Sequence, residues 1–187
     1  MTSHRPRGLG ELDQERDSLL RGGRRGLRWL VLPQRHHPRG HLTALGRPAR
    51  ASDRFVIGGF AVAHHGHVRA TKDIDVFVRP TAENAGKVMR ALEVFGAPLA
   101  ALDIDADDFA TPGKVVQLGV PPLRIDLLTA ATALDFDDAS RTTGRLDVDG
   151  RSIPIIGFDD LIKNKRAAGR PQDLADVDSL ERLRRPL

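Results

Sequence analysis

The stretch from residue 55 to residue 78, FVIGGFAVAHHGHVRATKDIDVFV, constrains the fold of this chain more than any other. Phe55, Val56 and Ile57 are strand formers, and Gly58-Gly59 ends the run where backbone can approach another group closely, because no Cβ intervenes. Phe60 to His65 read as a short helix opening at those glycines, whose free N–H groups suit a phosphate. Asp73 to Val78 read as a second strand. Its alternation sets Ile74, Val76 and Val78 on one face and Asp73, Asp75 and Phe77 on the other. Both carboxylates therefore point the same way, with Cα atoms roughly 6.6 Å apart at a rise of about 3.3 Å per residue. That span lets side chains converge on metal ions about 3.5 to 4 Å from each other. Two like charges on an otherwise apolar strand call for a compensating cation, and a divalent metal is the obvious one.

A third carboxylate lies further on. Gly119 to Pro122 turns the chain into the apolar strand LRIDLL, where Leu123, Ile125 and Leu127 face one side and Arg124, Asp126 and Leu128 the other. An aspartate in such a strand is costly unless it is paired or used. Asp126 either has a functional use or pairs with Arg124 or a helix N-terminus. Near the end of the chain, Asp159 or Asp160 opens a helix that runs to about Ala168. Its apolar stripe of Phe158, Leu161 and Ile162 leads next to Lys165, and a lysine on the buried side requires an anionic partner. Pro171 suits the first turn of a last helix with Leu174, Val177, Leu180 and Leu183 as its apolar side.

The glycine pair, thirteen intervening residues, then Asp73-Ile74-Asp75 and apolar Val76 resemble the signature of the DNA polymerase beta-like nucleotidyltransferase superfamily. More narrowly, the chain is similar to small bacterial nucleotidyltransferases of toxin-antitoxin and abortive-infection systems. The resemblance covers Phe55 to about Leu183. It implies an α/β fold: a small mixed sheet flanked by helices, closed by a C-terminal helical pair. It also implies transfer of an NMP from an NTP donor to an acceptor hydroxyl on RNA, protein or a small molecule. In the resemblance Asp73, Asp75 and Asp126 are the catalytic metal ligands for two Mg²⁺ ions, with Asp126 also assisting the acceptor. Gly58, Gly59 and Lys165 hold the triphosphate. Arg69 and Thr71 match positions where relatives carry Arg and Thr near the nucleotide, and Arg170, Asp173 and Asp176 match supporting positions of a C-terminal motif. A cognate toxin or antitoxin protein is an implied partner. The alternative is a non-catalytic antitoxin-like or RNA-binding module on the same fold.

Other patterns carry less. Asp103, Asp105 and Asp107 imitate a calcium loop, but Asp108 stands where a glycine is required and Lys114 where a bidentate glutamate is. His64 and His67 share helical spacing with Gly66 between them and no ligating cysteine nearby, and read as structural or solvent-exposed. A chain of 187 residues without cysteine fits one domain with no disulfide, thiol nucleophile or cysteine-bound zinc. No apolar run approaches about 18 residues and the start lacks a signal-peptide core, so a cytoplasmic protein without membrane contact is expected.

Charge is uneven. Residues 1–54 hold twelve Arg, no Lys and five acids, a formal +7 that leaves −3 for the remainder of a chain whose net charge is +4. Residues 1–53, rich in Arg, Gly and Pro, are expected to be disordered or a misassigned start, with a nucleic-acid tether as the alternative. A short strand at Leu27 to Leu32 is one fragment there that suits order. Residues 54–187 are expected to form the nucleotidyltransferase-like domain.

Overall fold

A computed structural model of the protein describes residues 27–30, 53–120 and 123–185. The order is β1 (Leu27–Leu30), β2 (Arg54–Ile57), α1 (Gly58–His64), β3 (Asp73–Val78), α2 (Ala82–Phe95), a 3₁₀ turn, α3 (Asp107–Ala110), β4 (Val115–Val120), β5 (Leu123–Leu128), α4 (Phe136–Arg141), β6 (Gly144–Val148), β7 (Arg151–Ile155), α5 (Phe158–Ala168) and α6 (Pro171–Arg184). The strands form one mixed sheet in the order β1-β4-β5-β3-β2-β7-β6, six of them from residue 54 onward. The short strand expected around Trp29 is present as β1, parallel to β4. The other expectations for residues 1–52 lie outside the described residues.

β2 runs antiparallel to β3 with Ile57 opposite Asp75, and β3 runs parallel to β5 with Asp75 opposite Asp126. These pairings put the carboxylate strand at the centre of the sheet, between the glycine-turn strand and the strand of the third aspartate. The core is built on Phe55, Val56, Val76, Phe77, Leu118, Ile155, Leu161 and Leu180, all nearly or fully buried. Phe55, Phe77 and Phe136 meet with ring centroids 5.0 to 5.4 Å apart.

Helix α2 starts where the backbone N–H of Asn84 donates to the Thr81 hydroxyl and stops at Gly96 with φ 85°, as its cap signals require. Strands β6 and β7 join through Asp149-Gly150, both with positive φ, a tight hairpin turn read from the Asp-Gly pair. The C-terminal helical pair is α5 and α6, separated by Gly169 (φ 66°).

Helix α6 departs from its expected apolar side. Leu174 and Leu183 are exposed, while Asp173 and Asp176 are buried beside Val177 and Leu180. The physical reason is Lys165: its ammonium lies between the helices and draws the two aspartates inward. No helix among the described residues is long and apolar enough to cross a membrane.

Candidate functional site

The sheet register brings the three aspartates together on one face of two neighbouring strands. Asp73 and Asp75 alternate along β3, and Asp126 of β5 lies directly across from Asp75. The same register sets Arg124 across from Asp73. Its Nη2 donates to Asp73 Oδ2 at 2.8 Å and to Asp126 Oδ2 at 3.0 Å. Its Nε stands 2.8 Å from Asp126 Oδ1, an ion pair without hydrogen-bond alignment. From β4, Gln117 Nε2 donates to Asp126 Oδ2 at 3.1 Å.

Arg124 thus answers the cation requirement of the strand pair in part. Asp73 Oδ1 and Asp126 Oδ1 are buried with no hydrogen bond, and so is Gln117 Oε1. Among the described residues no group of three or more His, Asp or Glu side chains is drawn together tightly enough to hold a metal ion. The donor chemistry nevertheless suits one: three carboxylates offer hard oxygens of the kind Mg²⁺ takes, and two of those oxygens have no hydrogen-bond donor.

Burial, and then the charges of Asp126 and Asp73, push the Asp75 carboxyl up to about 6, against a smaller lowering by Arg124 and Arg170. Burial also pushes Asp126 up, partly offset by its bonds from Gln117 and Arg124.

The glycine pair is shaped around this site. Gly58 has φ 66°, and a Cβ there would stand 1.9 Å from Asp75 Oδ2. At Gly59 a Cβ would stand 2.4 Å from Thr71 Oγ1 and 3.5 Å from Arg69 Nη2. The turn therefore admits Asp75 on one glycine and Thr71 on the next. Thr71 also donates to the backbone carbonyl of Asp73 at 3.3 Å, tying the approach loop to the carboxylate strand.

A second polar cluster stands beside the first. Lys165, 3% exposed, places Nζ 2.8 Å from Asp173 Oδ1 and 2.8 Å from Asp176 Oδ2. Arg69 grips Asp176 with both Nε (2.7 Å) and Nη2 (2.9 Å), and Arg170 Nε donates to Asp173 at 2.5 Å. Burial works to raise the Asp176 carboxyl, but hydrogen bonds from Arg69, Lys165 and Gln172 outweigh it and hold the group at about 2. Asp173 is likewise lowered on balance, burial being outweighed by Arg170 and Lys165. The charges of Arg69 and Arg170 also reach Asp75, so the two clusters share one electrostatic neighbourhood.

Every residue that the resemblance assigned to the site falls in or beside one of these two clusters. Lys165 has its anionic partner, although that partner is a pair of aspartates on the chain itself. Arg124 stands where the paired alternative for Asp126 put it. Gln117 was not singled out; its signal was one amide side chain inside the otherwise apolar VVQLGV strand. In the acidic loop Asp105 Oδ1 accepts from the backbone N–H groups of Asp107 and Asp108. His65 Nε2 lies 2.8 Å from the carbonyl oxygen of Ile156, a structural contact.

No protein-family model matches this chain. A search of curated proteins finds no match either.

Proposed function

We propose that the protein is a Mg²⁺-dependent nucleotidyltransferase of the DNA polymerase beta-like kind, moving an NMP from an NTP to an acceptor hydroxyl. The observation that carries the reading is the register of Asp75 against Asp126, with Asp73 on the same face and the Gly58 backbone against Asp75. In this reading Asp73 and Asp75 hold the metal ions and Asp126 completes one site and orients the acceptor. Bound metal would supply charge stabilisation for the attacking and leaving oxygens. The spaced double motif of the sequence, which resembles that of small bacterial nucleotidyltransferases of toxin-antitoxin systems, supports the reading.

The polar cluster on α5 and α6 refines which cations serve the triphosphate. Lys165 is committed to two buried aspartates, so its part is to hold α5, α6 and Arg69 together. Arg170 keeps 77% of its side chain exposed and acts on the charge of Asp75, which suits it to an incoming polyphosphate.

A thermal-shift titration with each NTP, with and without Mg²⁺, tests the donor site. A ligand at about 100 times its dissociation constant adds roughly 2.7 kcal/mol. Label transfer from an α-labelled NTP to RNA, protein or small-molecule pools then tests turnover. The reading requires that both signals need Mg²⁺ and disappear in the Asp73→Asn/Asp75→Asn variant. No NTP-dependent stabilisation and no transfer from the full chain would sink it.

One observation favours a second reading. Arg124 bridges Asp73 and Asp126 and so neutralises part of their charge from within the chain, which suits a non-catalytic antitoxin-like or RNA-binding module. That module would bind its partner equally well in the presence of a chelator.

A further inference from the structure

We propose that Arg124 is a resident counter-cation that a divalent metal ion must displace, so that metal affinity at Asp73, Asp75 and Asp126 is set by competition with this side chain. The inference rests on the proposed reading only in that the carboxylates take a divalent ion; it does not require nucleotide transfer.

The competition follows from where the strand period places Arg124. Two residues before Asp126 on β5, it shares the face of Asp126, and the parallel register puts it across from Asp73. From there one guanidinium reaches Asp73 Oδ2 and both oxygens of Asp126, at 2.8, 3.0 and 2.8 Å. These are oxygens a metal would need. A guanidinium and a dication held by the same carboxylates repel each other strongly in a partly buried site, so each weakens the hold of the other. Arg124 is 17% exposed at its side chain, and its long flexible stem gives the head a route outward.

The site is also left short of positive charge. One guanidinium bonds directly to Asp73 and Asp126, with Arg170 acting on Asp75 only through its charge, and Asp73 Oδ1 and Asp126 Oδ1 are buried without a hydrogen bond. Gln117, 5% exposed, is an independent sign that a ligand belongs here: its amide points into the cluster to donate to Asp126, and its Oε1 has no partner. The arginine lies between Asp73 and Asp126 and bonds to both. A protein of this design holds its carboxylates in order without metal and binds the ion more weakly than the three ligands alone would allow.

The test is Mn²⁺ binding, without nucleotide, by the full-length wild type and by Arg124→Gln, followed by electron paramagnetic resonance of the free ion. Removing a positive charge a few ångströms from the site should tighten binding by about ten-fold or more. The melting temperature of metal-free Arg124→Gln should fall, and Mn²⁺ should restore more of it than it adds to the wild type. Arg124→Lys keeps the charge but not the planar fork, so it protects folding and should bind Mn²⁺ with intermediate affinity. Asp75→Asn should remove the gained affinity, which assigns it to this site. A folded Arg124→Gln, or Arg124→Lys if Gln does not fold, that binds Mn²⁺ no tighter than wild type overturns the proposal. So does a gain that survives Asp75→Asn, and so does absence of binding in all variants. Tight Mn²⁺ binding by Arg124→Gln with no nucleotide turnover by the wild type would keep this inference and remove the transferase reading. Turnover with unchanged Mn²⁺ affinity would do the reverse.

Discussion

Gly58 and Asp75 are fitted to each other: the carboxylate occupies the space a Cβ on Gly58 would need, with Oδ2 only 1.9 Å from that position. The glycine also sits at φ 66°, a conformation other residues adopt at a cost. Gly58→Ala is therefore expected to destabilise the protein twice over. The backbone share alone is about 1 to 3 kcal/mol, and the contact with Asp75 adds to it. Urea denaturation of a double-mutant cycle separates the two. Asp75→Ala should relieve the contact share and leave the backbone share, and an unchanged Gly58→Ala cost in the Asp75→Ala background would show that the two residues are not coupled.

Asp75 itself should leave a mark on stability against pH. Its folded pKa, about 6, is raised above the unfolded value of 3.8, so the native state binds the proton more tightly than the unfolded chain. Stability is then fullest below about pH 4 for this group and declines as pH rises towards 6, where the buried carboxylate must ionise. At 1.36 kcal/mol per pKa unit the loss is roughly 3 kcal/mol by pH 7. Asp75→Asn, which cannot ionise, should lack the decline. Melting temperatures of the two proteins from pH 4 to 7 measure it, and parallel profiles would refute the buried, charge-crowded setting.

The carboxylate site was legible in the sequence because strand alternation is short-range and strict. Asp73 and Asp75 had to share a face, as did Arg124 and Asp126, wherever their strands lay. Which strand neighboured which was not legible from alternation, since pairing partners are set by the whole sheet. For the same reason Gln117 escaped notice: its role exists only once β4 is paired to β5 and Gln117 lies across from Asp126. Of the apolar side expected for α6, Val177 and Leu180 are buried and Leu174 and Leu183 are not. Leucines 174 and 183 yielded their places to Asp173 and Asp176 because one buried ammonium and an arginine on another element outweigh two leucines.

Gln117 donates to Asp126 from inside the sheet, at 5% exposure. Gln117→Leu removes that donor and leaves Asp126 Oδ2 with Arg124 alone, a loss expected to cost about 1 to 3 kcal/mol. If Arg124 and Gln117 both act on Asp126, the two substitutions are not additive. A thermal-denaturation cycle of Gln117→Leu and Arg124→Gln should give an interaction energy of about 0.5 kcal/mol or more. Strict additivity would mean that Asp126 does not link them.

Lys165 offers the sharpest separation between holding a fold together and holding a phosphate. Its ammonium is 4% exposed at the side chain and bonded to Asp173 and Asp176, which are themselves nearly inaccessible. Lys165→Met keeps the volume and removes the charge, leaving two buried carboxylates with Arg69 and Arg170 as their remaining partners. Breaking a buried pair from one side costs about 3 to 5 kcal/mol. Arg170→Gln, at a side chain 77% exposed, should cost no more than about 1 kcal/mol. The acid limb of stability should change too. Asp176, held at about 2, contributes stability that is present above its unfolded pKa and lost as pH falls from about 4 through 2. In Lys165→Met that acid loss should be smaller, because less is left to be lost. If instead Lys165→Met is as stable as the wild type in urea and has lost NTP-dependent stabilisation, then the lysine leaves its aspartates for the triphosphate. The phosphate role would then belong to Lys165 and not to Arg170.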